Sequence, residues 1–262
     1  MNAQSRKAGE GTIGKALDVL DLVADFERAV RCCVLLARSV HAKATLYRLV
    51  QTLTHQGMLR YDEDRQTYAP GLRLVRLAHS AWRHSALAPI ARPFVDKLAQ
   101  EVGETVHVAQ LDGGQVLYVD KRNATQPIEM FSQAGKVGPG YCTGVGKAML
   151  AHLEPEARDR AVNRQAFFAH TPHTLATPQA LLTELDQIRA DGLAFDREEH
   201  EPGIICIAVP ILSGTSRVIG ALSITTSIER KSLDDLDVWA PTLRQTATHI
   251  AQAVETWQFP SQ

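Results

Sequence analysis

Apolar residues recur at helical spacing through most of the first eighty positions. In TIGKALDVLDLVADF, Ile13, Leu17, Leu20 and Val23 fall on one face behind Thr12, a residue type that caps helix starts. VRCCVLLARS repeats the pattern over a shorter run. AKATLYRLVQTLTHQG carries a stripe of Leu46, Leu49, Val50 and Leu53 that Gly57 brings to an end. The period then changes: in MLRYDEDRQTYAP two short runs rich in Leu and Tyr flank the polar turn DEDR, which predicts a β-hairpin. Helices followed by a hairpin in this order predict a winged helix-turn-helix.

Helical periodicity returns in PGLRLVRLAHSAWRHSALAPIARPFVDKLAQEVG, interrupted by Pro89 and Pro93. It predicts a connecting helix over 72–84 and a further helix over 86–102, with Pro93 near a helix start. Two β-rich runs around Asp112-Gly113-Gly114 predict a hairpin, and a third strand is expected through Ile128 to Phe131. TGVGKAMLAHL turns helical and two more helical segments follow. Strands over 203–212 and 217–226 precede a long last helix interrupted near Pro241. The expected fold is α+β, with helices over one face of an antiparallel sheet and the other face free to form a pocket.

Parity within the two late strands bears on that pocket. Ile205, Ile207, Val209 and Ile211 alternate with Cys206, Ala208 and Pro210, while Ile219, Ala221, Ser223 and Thr225 alternate with Val218, Gly220, Leu222 and Ile224. Two readings stay open. This is a normal sheet with one wetter face, or a concavity in which Cys206 faces Ser223 and Thr225 and the hydroxyls bond an oxyanion.

The face of the third helix opposite its apolar stripe holds Ala44, Tyr47, Arg48 and Gln51, flanked by Lys43, Thr45 and Thr52. These side chains reach phosphates and base edges in a major groove, although on an isolated helix the same set is an ordinary solvated face. Arg60 and Arg65 in the hairpin would lie near a flanking phosphate backbone, while Asp62, Glu63 and Asp64 oppose deep insertion of the tip.

Charge supports a division of labour. The net charge of −1 over 262 residues conceals a split: up to Ser80 there are 12 Lys/Arg against 8 Asp/Glu, leaving 16 of 28 against 21 of 29 for the remainder. A basic first third and an acidic remainder suit a nucleic-acid module joined to something else. The 45% apolar content is ample for one large core or two small ones. Cys32, Cys33, Cys142 and Cys206 are few and irregularly spaced, which points to reduced thiols and no disulfide framework. With no signal-peptide pattern and no stretch near the roughly 20 apolar residues of a span, a cytoplasmic protein without a membrane partner is expected.

One stretch suggests chemistry. DREEHEPGIICIAVPI brings together Asp196, Glu198, Glu199, His200, Glu201 and Cys206, residue types fit for zinc or for acid/base and thiol chemistry. A metal-dependent hydrolase using Asp196, Glu199, His200 and Cys206, or a thiol enzyme using Cys142 and Cys206, is therefore an alternative. No ligand spacing, HExxH, nucleophile elbow, P-loop or CxxC supports it, so no catalytic residue, metal or cofactor is assigned.

Three segments in order, LARSVHAKATLYRLVQTLTHQGML, GYCTGVGKAMLAHL and GLAFDREEHEPGIICIAVPILSGTSRVIGALSITT, resemble the IclR family of bacterial transcription regulators, from about Thr12 to Trp257. The resemblance implies a winged helix-turn-helix over 1–71, a linker helix over 72–85 and a GAF-like effector-binding domain over 86–262. It also implies double-stranded operator DNA as partner, a homo-dimer or dimer of dimers, and a small carboxylate effector such as a sugar acid, keto acid or aromatic acid. The recognition helix would fall on Lys43 to Thr54. The effector pocket would be formed by Gly144, Val145, Asp196, Cys206, Ser223 and Thr225, with Met130 at its wall and the Tyr141 and Thr143 hydroxyls in reach. Glu198, Glu199, His200 and Glu201 then revert to surface or rim. Backbone N–H groups at the Gly144 to Lys147 helix start would favour an anion. The sequence departs from the family between helices two and three, where Val40-His41-Ala42 replaces a Gly-Leu-Pro turn and leaves Ser39 to end one helix or cap the next.

Overall fold

The first of the helices, α1 (Gly11–Ala24), buries Val19, Leu20 and Val23, whereas Ile13 and Leu17 are 79% and 53% exposed. At about 100° per residue Leu17 lies about 120° round the helix from Val23, so the buried arc runs from Val19 through Val23 to Leu20 and leaves Leu17 outside it. Thr12 lies within the helix and not ahead of it as a cap. These coordinates belong to a computed structural model that describes residues 11–84 and 87–256, in two compact units parting between His84 and Ser85.

In the first unit α1 is followed by β1 (Val30–Arg31), α2 (Cys32–Arg38), α3 (Lys43–His55), β2 (Leu59–Asp62), β3 (Thr67–Pro70) and α4 (Leu72–His84). The α3 stripe of Leu46, Leu49, Val50 and Leu53 is buried against Val19, Val23 and Leu35. Gly57, in the left-handed region at φ +69°, ends the helix: its N–H donates to the Thr54 carbonyl and that of Met58 to Leu53. β2 and β3 form the hairpin, and the two residues of β1 add a third, unforeseen strand by pairing Val30 with Tyr68 and Arg31 with Thr67. At the departure from the Gly-Leu-Pro turn, Ser39 ends α2 and its Oγ accepts the His41 N–H at 3.1 Å, while Ala42 starts α3 without a side-chain cap. His41 Nε2 lies 3.4 Å from the Asp18 carboxylate of α1.

The second unit runs α5 (Leu87–Val102), β4 (Thr105–Asp112), β5 (Gln115–Arg122), β6 (Val137–Gly138), α6 (Gly144–Ala151), α7 (Pro155–Val162), α8 (Pro178–Asp191), β7 (Ala194–Arg197), β8 (Ile204–Leu212), β9 (Val218–Ser227), α9 (Leu233–Asp237) and α10 (Ala240–Thr256). Its antiparallel sheet has the order β6-β5-β4-β9-β8-β7. Pro93 lies inside α5 and not near its start, and the final break falls at Val238 and Trp239, ahead of Pro241. The strand expected at Ile128 to Phe131 does not form. That segment is loop, and Val137–Gly138 covers the β5 edge instead. β7 was not anticipated; four residues bounded by a helix and an acidic turn carry too short an alternation to read.

Both faces of the sheet are covered, which corrects the expectation of one free face. Ile205, Ile207, Val209, Ile211, Leu222 and Ile224 pack under α5, α9 and α10. On the other side Ala109, Ala194, Ala208 and Ala221 lie under α6 and α8. Alanines on this second face let α6 approach the sheet closely, and larger residues would hold it off. Beyond Ala208, where Cys206, Ser223 and Thr225 continue the same face, the sheet meets the N-terminus of α6 and a small cavity remains. No described helix is long and apolar enough to cross a membrane.

Candidate functional site

Packing of its apolar stripe turns the polar face of α3 outward. Lys43, Ala44, Tyr47, Arg48, Gln51 and Thr52 are exposed and Thr45 is half-buried. The Lys43 ammonium lies 5.9 Å from the Tyr47 ring centre. The neighbouring Cys32, by charge and by hydrogen bond, raises the Tyr47 phenol above its ordinary range. Thr52 is the least available of the set, because its hydroxyl already donates to the Arg48 carbonyl at 2.9 Å. Arg60 on β2 and Arg65 in the hairpin turn are exposed, and the turn is closed by the Arg65 N–H donating to Asp62 Oδ1.

The second site is the cavity at the start of α6, with a volume of about 30 Å³. Of the residues proposed for an effector pocket, Thr143, Gly144, Val145, Asp196, Cys206, Ser223 and Thr225 line it. Strand register explains the convergence: Cys206 pairs with Asp196 on one side and Thr225 on the other, and Ser223 pairs with His107 of β4. Gly144 is required where α6 meets this floor, since a Cβ there would sit 2.4 Å from Cys206 Sγ.

Met130 and Tyr141 do not line the cavity. Tyr141 is turned into the core beneath α6, and its hydroxyl donates to the Phe168 carbonyl at 2.6 Å. Met130 is buried in the loop after β5 with its side chain outside the lining.

His107, Tyr118, Ser132, His200, Glu201 and Ile204 complete the lining and were not identified from sequence as pocket residues. Parity could have found His107, a polar residue between Val106 and Val108, which both face the opposite core. Its Nε2 lies 2.9 Å from Ser132 Oγ and its Nδ1 3.2 Å from Thr225 Oγ1. Burial, with Lys121 nearby, lowers its pKa to about 3, so the ring is neutral and has one N–H to share between the two hydroxyls.

The acidic turn is not simply solvated. Glu199 is only 3% exposed and takes Lys147, a fully buried lysine of α6 that also donates to Glu184 at 3.1 Å. Burial raises the Glu199 pKa while Lys147 opposes the rise. Glu201 accepts the Phe131 N–H, and Glu198 the Gly203 N–H. Asp196 accepts the Glu199 N–H at 2.8 Å, yet burial and the adjacent Glu199 charge raise its pKa to about 7. Among the described residues no three His, Cys, Asp or Glu side chains converge as a metal site.

The sequence matches two family models, the IclR helix-turn-helix domain over residues 12–63 and the bacterial transcriptional regulator IclR C-terminal domain over residues 79–252. It is 28% identical over 243 residues to the HTH-type transcriptional regulator XynR of Escherichia coli, covering 93% of this chain and 96% of that one. The crystal structure of the Thermotoga maritima IclR superposes with a TM-score of 0.75 at 26% identity, over 93% of this chain and 98% of the other. The fold is shared with an IclR homolog from Microbacterium hydrocarbonoxydans solved with 4-hydroxybenzoate, at a TM-score of 0.78 and 22% identity, over 94% of this chain and all of that one. A helix-turn-helix unit with a solvent-facing polar α3, followed by a unit covered over most of its length by the C-terminal model, makes this chain a member of the IclR family of bacterial transcriptional regulators.

Proposed function

We propose that the chain is an effector-responsive transcription factor whose α3 face reads double-stranded operator DNA and whose α6 cavity binds a small organic acid. The observation that carries this reading is the convergence of hydroxyl-bearing Ser223 and Thr225 of β9 with the α6 N-terminus at Gly144 within one cavity, the Thr143 hydroxyl being spent on the Pro139 carbonyl at 2.7 Å. Lys43, Tyr47, Arg48 and Gln51 supply the DNA contacts, Ala44, Thr45 and Thr52 pack beside them, and Arg60 and Arg65 hold flanking phosphate.

A volume of about 30 Å³ holds one or two waters, so a bound acid has to enlarge the cavity. The wall that would have to yield is the loop between β5 and β6. Ser132 ties it to His107, and Glu201 holds it through the Phe131 N–H. Sugar, keto and aromatic acids are the candidate classes, the last supported by the 4-hydroxybenzoate bound to the Microbacterium homolog.

The chain acts as a homo-dimer or dimer of dimers, which suits palindromic operators, and the exposed Ile13, Leu17, Leu72 and Val75 are apolar surface a second copy could cover. Enzymatic thiol chemistry is disfavoured because burial raises the thiol pKa of both Cys142 and Cys206, leaving neither as a thiolate. The test is a thermal-shift and calorimetric screen of organic acids against the full chain and its Ser223→Ala variant, with operator gel shifts in parallel. Acids that stabilise the chain and shift DNA affinity, and do so weakly in the variant, are expected. A silent screen would leave the second unit a dimerisation module.

A further inference from the structure

The cavity contains two carboxylates and no cation. Asp196 and Glu201 line it, and no described lysine or arginine does. Its imidazoles do not compensate, since burial lowers His107 to about 3 and His200 to about 4, so both are neutral at physiological pH.

The cations near Asp196 are engaged elsewhere. From α6, Lys147 is bonded to Glu199 and Glu184, and from β7 itself Arg197 donates to Glu184 at 2.9 Å. From β5, Lys121 donates to the Ser132 carbonyl, and from the loop that follows Lys136 lies over the Phe131 ring; both act on Glu201 from outside the lining. The remaining titratable neighbours are neutral: Cys206 across the strand pair, Cys142 ahead of α6 and Tyr118 from β5 all have raised pKa values through burial.

An acid entering as an anion would therefore face Asp196 and Glu201 as like charges in a water-poor site, where one of two neighbouring carboxylates has to take a proton. Hydroxyl donors and the partial charge of a helix start offset only part of that repulsion.

We propose that the effector acid is taken up with one solvent proton, held between its carboxylate and Asp196, so that the two bind as a hydrogen-bonded acid–carboxylate pair. The inference rests on the effector-site reading above and adds a pH-dependent affinity to it. The Asp196 carboxyl, already near 7, supplies the proton-binding group within the physiological range.

The test is calorimetry on the full chain with gluconate, pyruvate and 4-hydroxybenzoate, each beside its neutral amide. Acid affinity is expected to fall about tenfold between about pH 6 and about pH 8, with proton uptake read from the buffer dependence of the enthalpy, while amide affinity stays level. Asp196→Asn keeps the acceptor for the Glu199 N–H, and in that variant the acid profile becomes flat; thermal melting reports whether it folds. An acid bound equally at both pH values overturns the proposal alone, as does a pH dependence that survives Asp196→Asn or disappears instead in Glu201→Gln. If neither acids nor amides bind at any pH, the effector-site reading falls and the proposal with it.

Discussion

Ser132 Oγ and His107 Nε2 lie 2.9 Å apart, so the loop after β5 is tied to the floor of the sheet through a buried, neutral imidazole. The other ring nitrogen meets Thr225, and the loop, the imidazole and the floor thus form one hydrogen-bond chain. Ser132→Ala leaves one ring nitrogen without that partner, and a loss of about 1–3 kcal/mol is expected in urea denaturation. A change within error would mean that the loop is not held here.

Gly144→Ala places a Cβ against Cys206 Sγ. Overpacking of this kind costs about 1–3 kcal/mol. Cys206→Ala in the same chain removes the obstruction, so the double variant is expected to melt above the Gly144→Ala single variant. Equal melting temperatures would place the strain elsewhere.

The Asp196 carboxyl, raised to about 7 from an ordinary value of 3.8, sets a pH dependence of stability. A raised acid favours the folded state only while protonated there, so its contribution is complete below the unfolded value and is lost as pH rises through about 7. Asp196→Asn is expected to match the wild type in stability near the acid end of that window and to exceed it above neutrality, by at most about 4 kcal/mol. Chemical denaturation across the window measures the crossover; parallel curves would refute it.

On the DNA side, Arg48→Ala is expected to abolish specific operator binding, because its guanidinium lies on the exposed face of α3. If Arg60 holds phosphate as proposed, Arg60→Ala is expected to weaken binding to all sequences alike and to lower the salt slope by about one. Gel shifts across a salt series separate the two. An unchanged footprint in Arg48→Ala would move the recognition surface off this face.

Much of the site was legible because strand parity is a local property. Ser223 and Thr225 share a face by sequence alternation, and the β8–β9 register is what puts Cys206 on that face beside them. Parity marks His107 as facing away from the core of Val106 and Val108, but its place beside Ser223, more than a hundred residues on, comes only from the β4–β9 pairing. Glu199 resembled a surface acid because nothing local distinguishes a solvated glutamate from one facing a buried lysine. Its partner Lys147 stands on a different element.

The sequence by itself determined the helix-turn-helix with its hairpin, the polar face of α3, the paired late strands and the family. These depend on periodicity, turn residues and short-range spacing, which are written along the chain. Tertiary structure alone decided that both sheet faces are covered, that Tyr141 turns away from the cavity, and that Asp196 sits beside Glu199 without a cation of its own. Burial and charge pairing depend on distances between elements far apart in sequence, and only packing establishes those.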